Sequence, residues 1–197
     1  GRFLDALIYP YTFAEYLAAS GVTLEKEWQY GGQRAVVQKL FADYMKWGGF
    51  PELLLFRNKR NWLNSLYDKI LLGDIIQRNK VKNENALRLT MKRLAENVKQ
   101  PISYNRIANV IRTTGTSIAV SSVSDYVRYA VDACMIFSLE NYASKFVEKE
   151  TVKKHYFVDN GLLSIFLLDG NTALLENLCA IHLHKKYGDK LYFYNKN

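Results

Sequence analysis

The chain has 197 residues, 49% of them hydrophobic, and 27 Lys and Arg against 19 Asp and Glu leave a net charge of +8. That length supports one large domain or two small ones with real cores, and the excess of base favours an anionic partner, nucleic acid first. No apolar stretch is long enough to cross a membrane, and Asp5 and Pro10 interrupt the N-terminal apolar run, which excludes a signal-peptide pattern.

Taken in order, residues 1–16 read as a short strand from Phe3 to Ile8, then Pro10, then a short helix from Thr12. Thr12 with Glu15 three positions later forms a capping box. Residues 20–32 are loop-like and end in Gly31-Gly32. From Gln33 to Trp47 the apolar positions Val36, Val37, Leu40, Phe41, Tyr44 and Met45 recur at helical spacing, and Gly48-Gly49 stops the helix. Phe50-Pro51 restricts the chain to an extended turn, and Leu53 to Phe56 restart a short helix. Asn61 caps a long helix carrying Leu63, Leu66, Tyr67, Ile70, Leu71, Ile75 and Ile76. On it Asp74 and Arg78 lie i, i+4, the spacing of a surface ion pair.

A helix from Asn85 to Lys99 follows, burying Leu87, Met91, Leu94, Ala95 and Val98. Ser103 caps a short helix with Ile107, Val110 and Ile111, and Thr113-Thr114-Gly115 turns the chain. Ser122 and Asp125 read as a second capping box, opening a helix through Cys134. The apolar runs Met135–Leu139 and His155–Val158 then read as a hairpin with a charged connection. Helix, short helix, turn, longer helix and hairpin is the order of a winged helix-turn-helix. Its reading helix exposes Ser121, Ser124, Asp125, Arg128 and Tyr129, of which only Arg128 is a strong donor to a base edge or phosphate. Arg106 and Arg112 on the short helix, and Lys145, Lys149, Lys153 and Lys154 on the hairpin, complete the candidate nucleic-acid contacts, which act through backbone charge. The run ending in Asp159-Asn160-Gly161 is turn chemistry. After it comes a helix on which Leu174, Leu175, Leu178, Ile181 and Leu183 cover most of the circumference. Lys190–Tyr194 reads as a core strand.

Catalytic chemistry is missing from these residues. No G-x-x-x-x-G-K-[ST] phosphate loop occurs and no apolar strand ends in paired acids, so nucleotide hydrolysis has no machinery here. Asp159 and Glu176 make an incomplete metal-carboxylate set. Cys179 and His182, i and i+3, lack two further ligands, and His182 and His184 point in different directions, so no metal site is expected. Cys134 and Cys179 sit in apolar helical patterns, which points to buried free thiols and a reducing, cytoplasmic compartment.

Four motifs together resemble one family: Gly1-Arg2 followed by Tyr9-Pro-Tyr-Thr-Phe-Ala-Glu15, Gly48-Gly-Phe-Pro-Glu52, Tyr156-Phe-Val-Asp-Asn-Gly-Leu-Leu163, and Glu176-Asn177 in its apolar helix. In this order they are similar to the C-terminal region of prokaryotic AAA-type P-loop ATPases that carry a C-terminal domain of unknown function. The resemblance implies that residues 1–16 are the tail end of an ATPase core and 17–82 a helical lid-like segment. It implies a winged-helix domain at 85–160 and the start of a truncated, restriction-endonuclease-like module at 161–197, with Glu176 at the first-helix position of such folds. ATP and magnesium would belong to the missing core and no cofactor to this part.

The expected fold is mostly α with a small β content (α+β). The expected function is that of a non-catalytic, regulatory, DNA-contacting C-terminal part of an AAA-type ATPase. Its partners would be DNA, the absent core and, through exposed strand edges, a second copy in a homo-oligomer or swapped dimer. The sequence starts at Gly1 without Met and stops just after an apolar run, so a fragment is expected at both ends. A free-standing winged-helix DNA-binding regulator and an oligomerisation scaffold without nucleic-acid binding are the alternatives.

Overall fold

A computed structural model describes residues 7–167 and 170–196. Helix α1, Phe13–Ala19, opens on the Thr12 capping box: Thr12 N donates to Glu15 Oε2 (2.7 Å) and Glu15 N to Thr12 Oγ1 (3.3 Å). Most of the strand expected at 3–8 lies outside the described residues. Leu7 and Ile8 are irregular and exposed. A single 3₁₀ turn, Trp28–Tyr30, interrupts the loop before α2, Gln33–Trp47. Gly48 ends α2 at φ +81°, and a 3₁₀ turn at Pro51–Leu54 stands where the sequence suggested a helix over 53–56.

Helix α3, Lys59–Lys69, starts three residues earlier than expected, because Asn58 rather than Asn61 is the cap; Asn61 N donates to Asn58 Oδ1 at 3.1 Å. It runs on without a break as a π-helix over Ile70–Gln77. The Asp74–Arg78 pair does not form, and both side chains stay exposed. Asp68 instead meets Arg88 of α4, Glu84–Glu96, at 2.9 Å. The π segment still buries Leu71, Ile75 and Ile76 against the core that α4 supplies with Leu87, Met91 and Leu94.

Strand β1, Ile102–Ser103, leads into α5, Tyr104–Thr113, whose cap is Ser103 as expected. Helix α6, Val120–Asp132, begins at Ala119. Ser122 and Asp125 therefore already lie inside it and form no capping box; Asp125 accepts from Arg128 instead. Strands β2, Ile136–Glu140, and β3, Val152–Phe157, flank a connection holding α7, Phe146–Thr151. The sheet order is β1-β3-β2, all antiparallel, with Phe137 opposite Tyr156 and Glu140 opposite Lys153. The fold is mostly helical with this one small sheet, an α+β arrangement, and a continuous core runs from Tyr67 to Ile181.

Helix α8, Asn160–Ser164, is buried at every residue, and α9, Asn171–Tyr187, packs across β3 and α2. Two expectations fail here for one reason, a one-sided environment. Leu175 and Leu183 of α9 are half-exposed, because only the face of Leu174, Asn177, Ala180 and Ile181 meets the core. Lys190–Tyr194 is no core strand: Phe193 makes a single parallel bridge to Asn141 at the end of β2, and Tyr192 and Tyr194 remain exposed. The thiols differ from expectation as well. Cys134 stands in the left-handed region after α6, and Cys179 lies on the outer face of α9, so both are free and exposed. No helix among the described residues is long and apolar enough to cross a membrane.

Candidate functional site

The motifs singled out in the sequence converge on one buried polar network. Asp159 caps α8, and its carboxylate accepts one distant and one local backbone donor: Gly49 N to Oδ2 and Gly161 N to Oδ1, both at 2.7 Å. Asn160 donates to the carbonyls of Met45 (2.8 Å) and Leu174 (2.9 Å). Its own carbonyl accepts from Asn177 Nδ2 at 2.9 Å. Asn177 also donates to Phe157 O (3.0 Å) and accepts from Phe157 N (2.8 Å). Strand β1 reaches only Val152 and Lys153, so the far end of β3 has no neighbour on that side. The Asn177 amide takes the neighbour's place. α2, β3, α8 and α9 are thereby held at one point, with the buried amides satisfied.

The glycines are required by this closeness. A Cβ on Gly48 would fall inside the Asp159 carboxylate, one on Gly161 would collide with Trp47 O, and one on Gly49 with Tyr11 O. Burial pushes Asp159 up to about 6, outweighing the lowering by the Gly49 and Gly161 N–H groups and by Lys185. Lys185 donates to Pro10 O at 2.7 Å, and burial lowers it.

Glu176 lies beside the network, at its half-exposed edge. Its Oε1 accepts from Lys154 Nζ at 2.6 Å and from Tyr156 OH at 3.0 Å. It is a carboxylate satisfied by local donors and does not meet Asp159 in a shared metal cradle; among the described residues no three His, Cys, Asp or Glu gather in metal-ligating range. The sequence flagged Gly48, Gly49, Asp159, Asn160, Glu176 and Asn177 through their motifs, but gave Asn160 only a turn role and Asn177 no role in holding the elements together. The signal was present: an Asn on the apolar face of Leu174, Ala180 and Ile181 has to find partners there.

The seven candidate nucleic-acid contacts fall into two sets. Four are occupied. Arg112 donates through Nε to Ile118 O (2.9 Å) and through Nη1 to Asn109 Oδ1 (3.0 Å), tying the turn between α5 and α6. Arg128 pairs with Asp125 at 2.9 Å and sits over the Tyr129 ring. Lys153 pairs with Glu140 (3.2 Å) and Glu150 (3.7 Å), and Lys154 with Glu176. Arg106 on α5 and Lys145 before α7 are exposed, and Lys149 reaches over the Tyr192 ring at 5.9 Å. These three make no ion pair among the described residues.

His155 on β3 faces Ser138 across the sheet, its Nδ1 within 2.8 Å of Ser138 Oγ; complete burial pushes it down to about 3, with Lys153 adding to the effect. His184 stacks on Phe137 with ring centroids 4.2 Å apart, and burial lowers it too. His155 is a buried core imidazole, whereas His184 is only partly covered by Phe137.

Comparison with known proteins places this geometry in a family context. The chain is 30% identical over 192 residues to an uncharacterized protein of Haemophilus influenzae, covering 94% of this chain and 46% of the relative. It is 27% identical over 190 residues to an uncharacterized protein of Methanocaldococcus jannaschii, covering 94% and 43%. It thus spans less than half the length of these curated relatives. No solved structure matches. The family model described as Domain of unknown function (DUF8612) matches residues 38–173, the stretch from the latter two-thirds of α2 through α8 that holds all but the α9 part of the polar network, and the chain belongs to that family.

Proposed function

We propose that this chain is the non-catalytic part of an AAA-type ATPase, in which residues 84–157 form a winged-helix unit that contacts DNA. The observation that carries the reading is the order α4-β1-α5-α6-β2-β3 with the sheet arranged β1-β3-β2, the layout of a winged helix-turn-helix. In this reading Arg106, Lys145 and Lys149 touch backbone phosphates. The network around Asp159 fixes the unit to α2, so that a movement of the preceding helices reaches it as a rigid body. ATP and magnesium would be bound by a phosphate-loop core in the longer polypeptide, a reading supported by the resemblance of the four motifs and by relatives more than twice as long as the aligned region.

The test has two arms. A labelled duplex is titrated with the protein at rising salt, and Arg106→Ala/Lys145→Ala weakens binding and flattens its salt dependence. The full-length polypeptide hydrolyses ATP and the present chain does not. A wild-type chain with no duplex affinity at low salt removes the DNA contact, and a full-length protein without a phosphate loop removes the ATPase. A second reading, an oligomerisation scaffold without nucleic-acid binding, is favoured by the neutralisation of Arg128, Lys153 and Lys154. It predicts a mass that rises with concentration and no duplex binding.

A further inference from the structure

The winged-helix unit is not where unpaired positive charge is densest. A polar depression of about 530 Å³ opens between the end of α2 and the start of α3, lined by Asp43, Trp47, Arg57, Asn58, Lys59 and Arg60. Lys46 adjoins it, its ammonium 4.8 Å from the centre of the Trp47 ring. Four cations therefore share one surface with a single lining carboxylate, Asp43. Among the described residues none of the four makes an ion pair, and Arg60 is held only by donating to Ile165 O at 3.3 Å. Lys59 and Arg60 also occupy the first turn of α3, which carries no acid, and that is the end of a helix where positive charge is disfavoured. Apart from the Arg60–Ile165 bond and the Lys46–Trp47 contact, the fold gains little from this placement.

We propose that this surface is a second nucleic-acid contact, separate from the winged helix, in which Arg57, Lys59, Arg60 and Lys46 hold successive backbone phosphates of DNA. A single small anion would leave most of the charge unanswered, whereas a polyanion answers all of it. The planar guanidinium groups of Arg57 and Arg60 match phosphate oxygens two at a time. The contact reads charge and not sequence, because none of these side chains belongs to the element that would enter a groove.

The test compares wild type, Arg57→Glu/Lys59→Glu and Arg106→Ala/Lys145→Ala by anisotropy of a labelled duplex over a salt series, with a thermal melt of each protein. Arg57→Glu/Lys59→Glu weakens binding about tenfold or more and flattens the log K against log salt slope by roughly two. Its melting temperature holds or rises, because acids now sit at the start of α3, and this separates lost contact from lost folding. The duplex also changes the emission of Trp47 in the wild type and not in this variant. If the Glu variant binds like wild type with an unchanged slope while the Arg106→Ala/Lys145→Ala variant is weakened, the inference fails and the winged-helix contact stands. If only the Glu variant loses affinity, the inference stands and the winged-helix contact fails. A wild-type chain that binds no duplex at low salt overturns both.

Discussion

The two ends of β3 handle polar groups in opposite ways. At the outer end, Lys153 and Lys154, each about one-sixth exposed, meet Glu140, Glu150 and Glu176 in part-buried pairs whose carboxylates still reach solvent. Such pairs gain little, because water still competes at the carboxylates and long side chains must be ordered to form them. At the inner end, the backbone of Phe157, the Asp159 carboxylate and the amides of Asn160 and Asn177 are closed off from solvent, and each partner is fixed. A group left unmatched there keeps its full desolvation penalty. The outer end can therefore drift in sequence, while the inner end dictates residue types across four elements.

The sharpest way to break this contrast is Gly48→Ala. The new methyl falls on the Asp159 carboxylate, and the backbone is held at φ +81°, where a side chain is strained. The expected loss is about 4 kcal/mol or more, read as a collapse of the urea midpoint; a variant within about 1 kcal/mol of wild type would show that the inner end is soft.

A second test uses pH. Asp159 is raised from 3.8 to about 6, so the folded state holds that proton more readily than the unfolded one. Its contribution is full at low pH and is lost as pH rises from about 4 to 6. His155 is depressed from 6.5 to about 3, so its contribution is lost as pH falls through the same window. Each amounts to roughly 2 kcal/mol between pH 4 and 6, with opposite sign. Unfolding by urea should be nearly flat in this range for these two groups. In His155→Gln, stability should rise toward pH 4, because only the Asp159 slope remains. Equal slopes in variant and wild type would remove His155 from the balance.

The smallest effect belongs to the outer end. Lys153→Ala should change stability by less than about 1 kcal/mol, and the difference should shrink further in high salt. A loss as large as that of Gly48→Ala would erase the distinction between the two ends.

How much of this was legible beforehand follows the range of each interaction. Local signals were readable: the Thr12 box, the Ser103 cap, the span of α2 and the stop at Gly48 each depend on residues a few positions apart. The order α4, α5, α6 and the β2–β3 pair was readable from apolar periodicity together with the Ser103 cap and the Gly115 turn, whereas the two-residue β1 and the short α7 in the charged connection were not read. The start of α6 was misread because Ser122 and Asp125 mimic a cap while Ala119 fills that position. The Asp74–Arg78 pairing rested on i, i+4 spacing alone, which does not oblige two exposed, solvated side chains to meet. The candidate site was half visible. Gly48-Gly49 and Asp159 stood out as motifs, yet nothing local says that Gly49 N donates to Asp159, 110 positions away. Lys153, Lys154, Arg112 and Arg128 looked available because a sequence displays charges without their partners.

The span of the Asp159–Gly49 bond has a consequence for the order in which the chain folds. With Asn160–Met45, 115 positions apart, and Lys185–Pro10, 175 apart, it closes loops that include the whole of residues 50–158. Closure on that scale brings no gain until β3 and α8 are already in place. The contact then belongs to the last stage of assembly, after the transition state. Changes at Gly48 or Asp159 should accelerate unfolding while leaving the refolding rate nearly untouched, so the docking of α2 sets how long the native state survives and has little bearing on how fast it is reached.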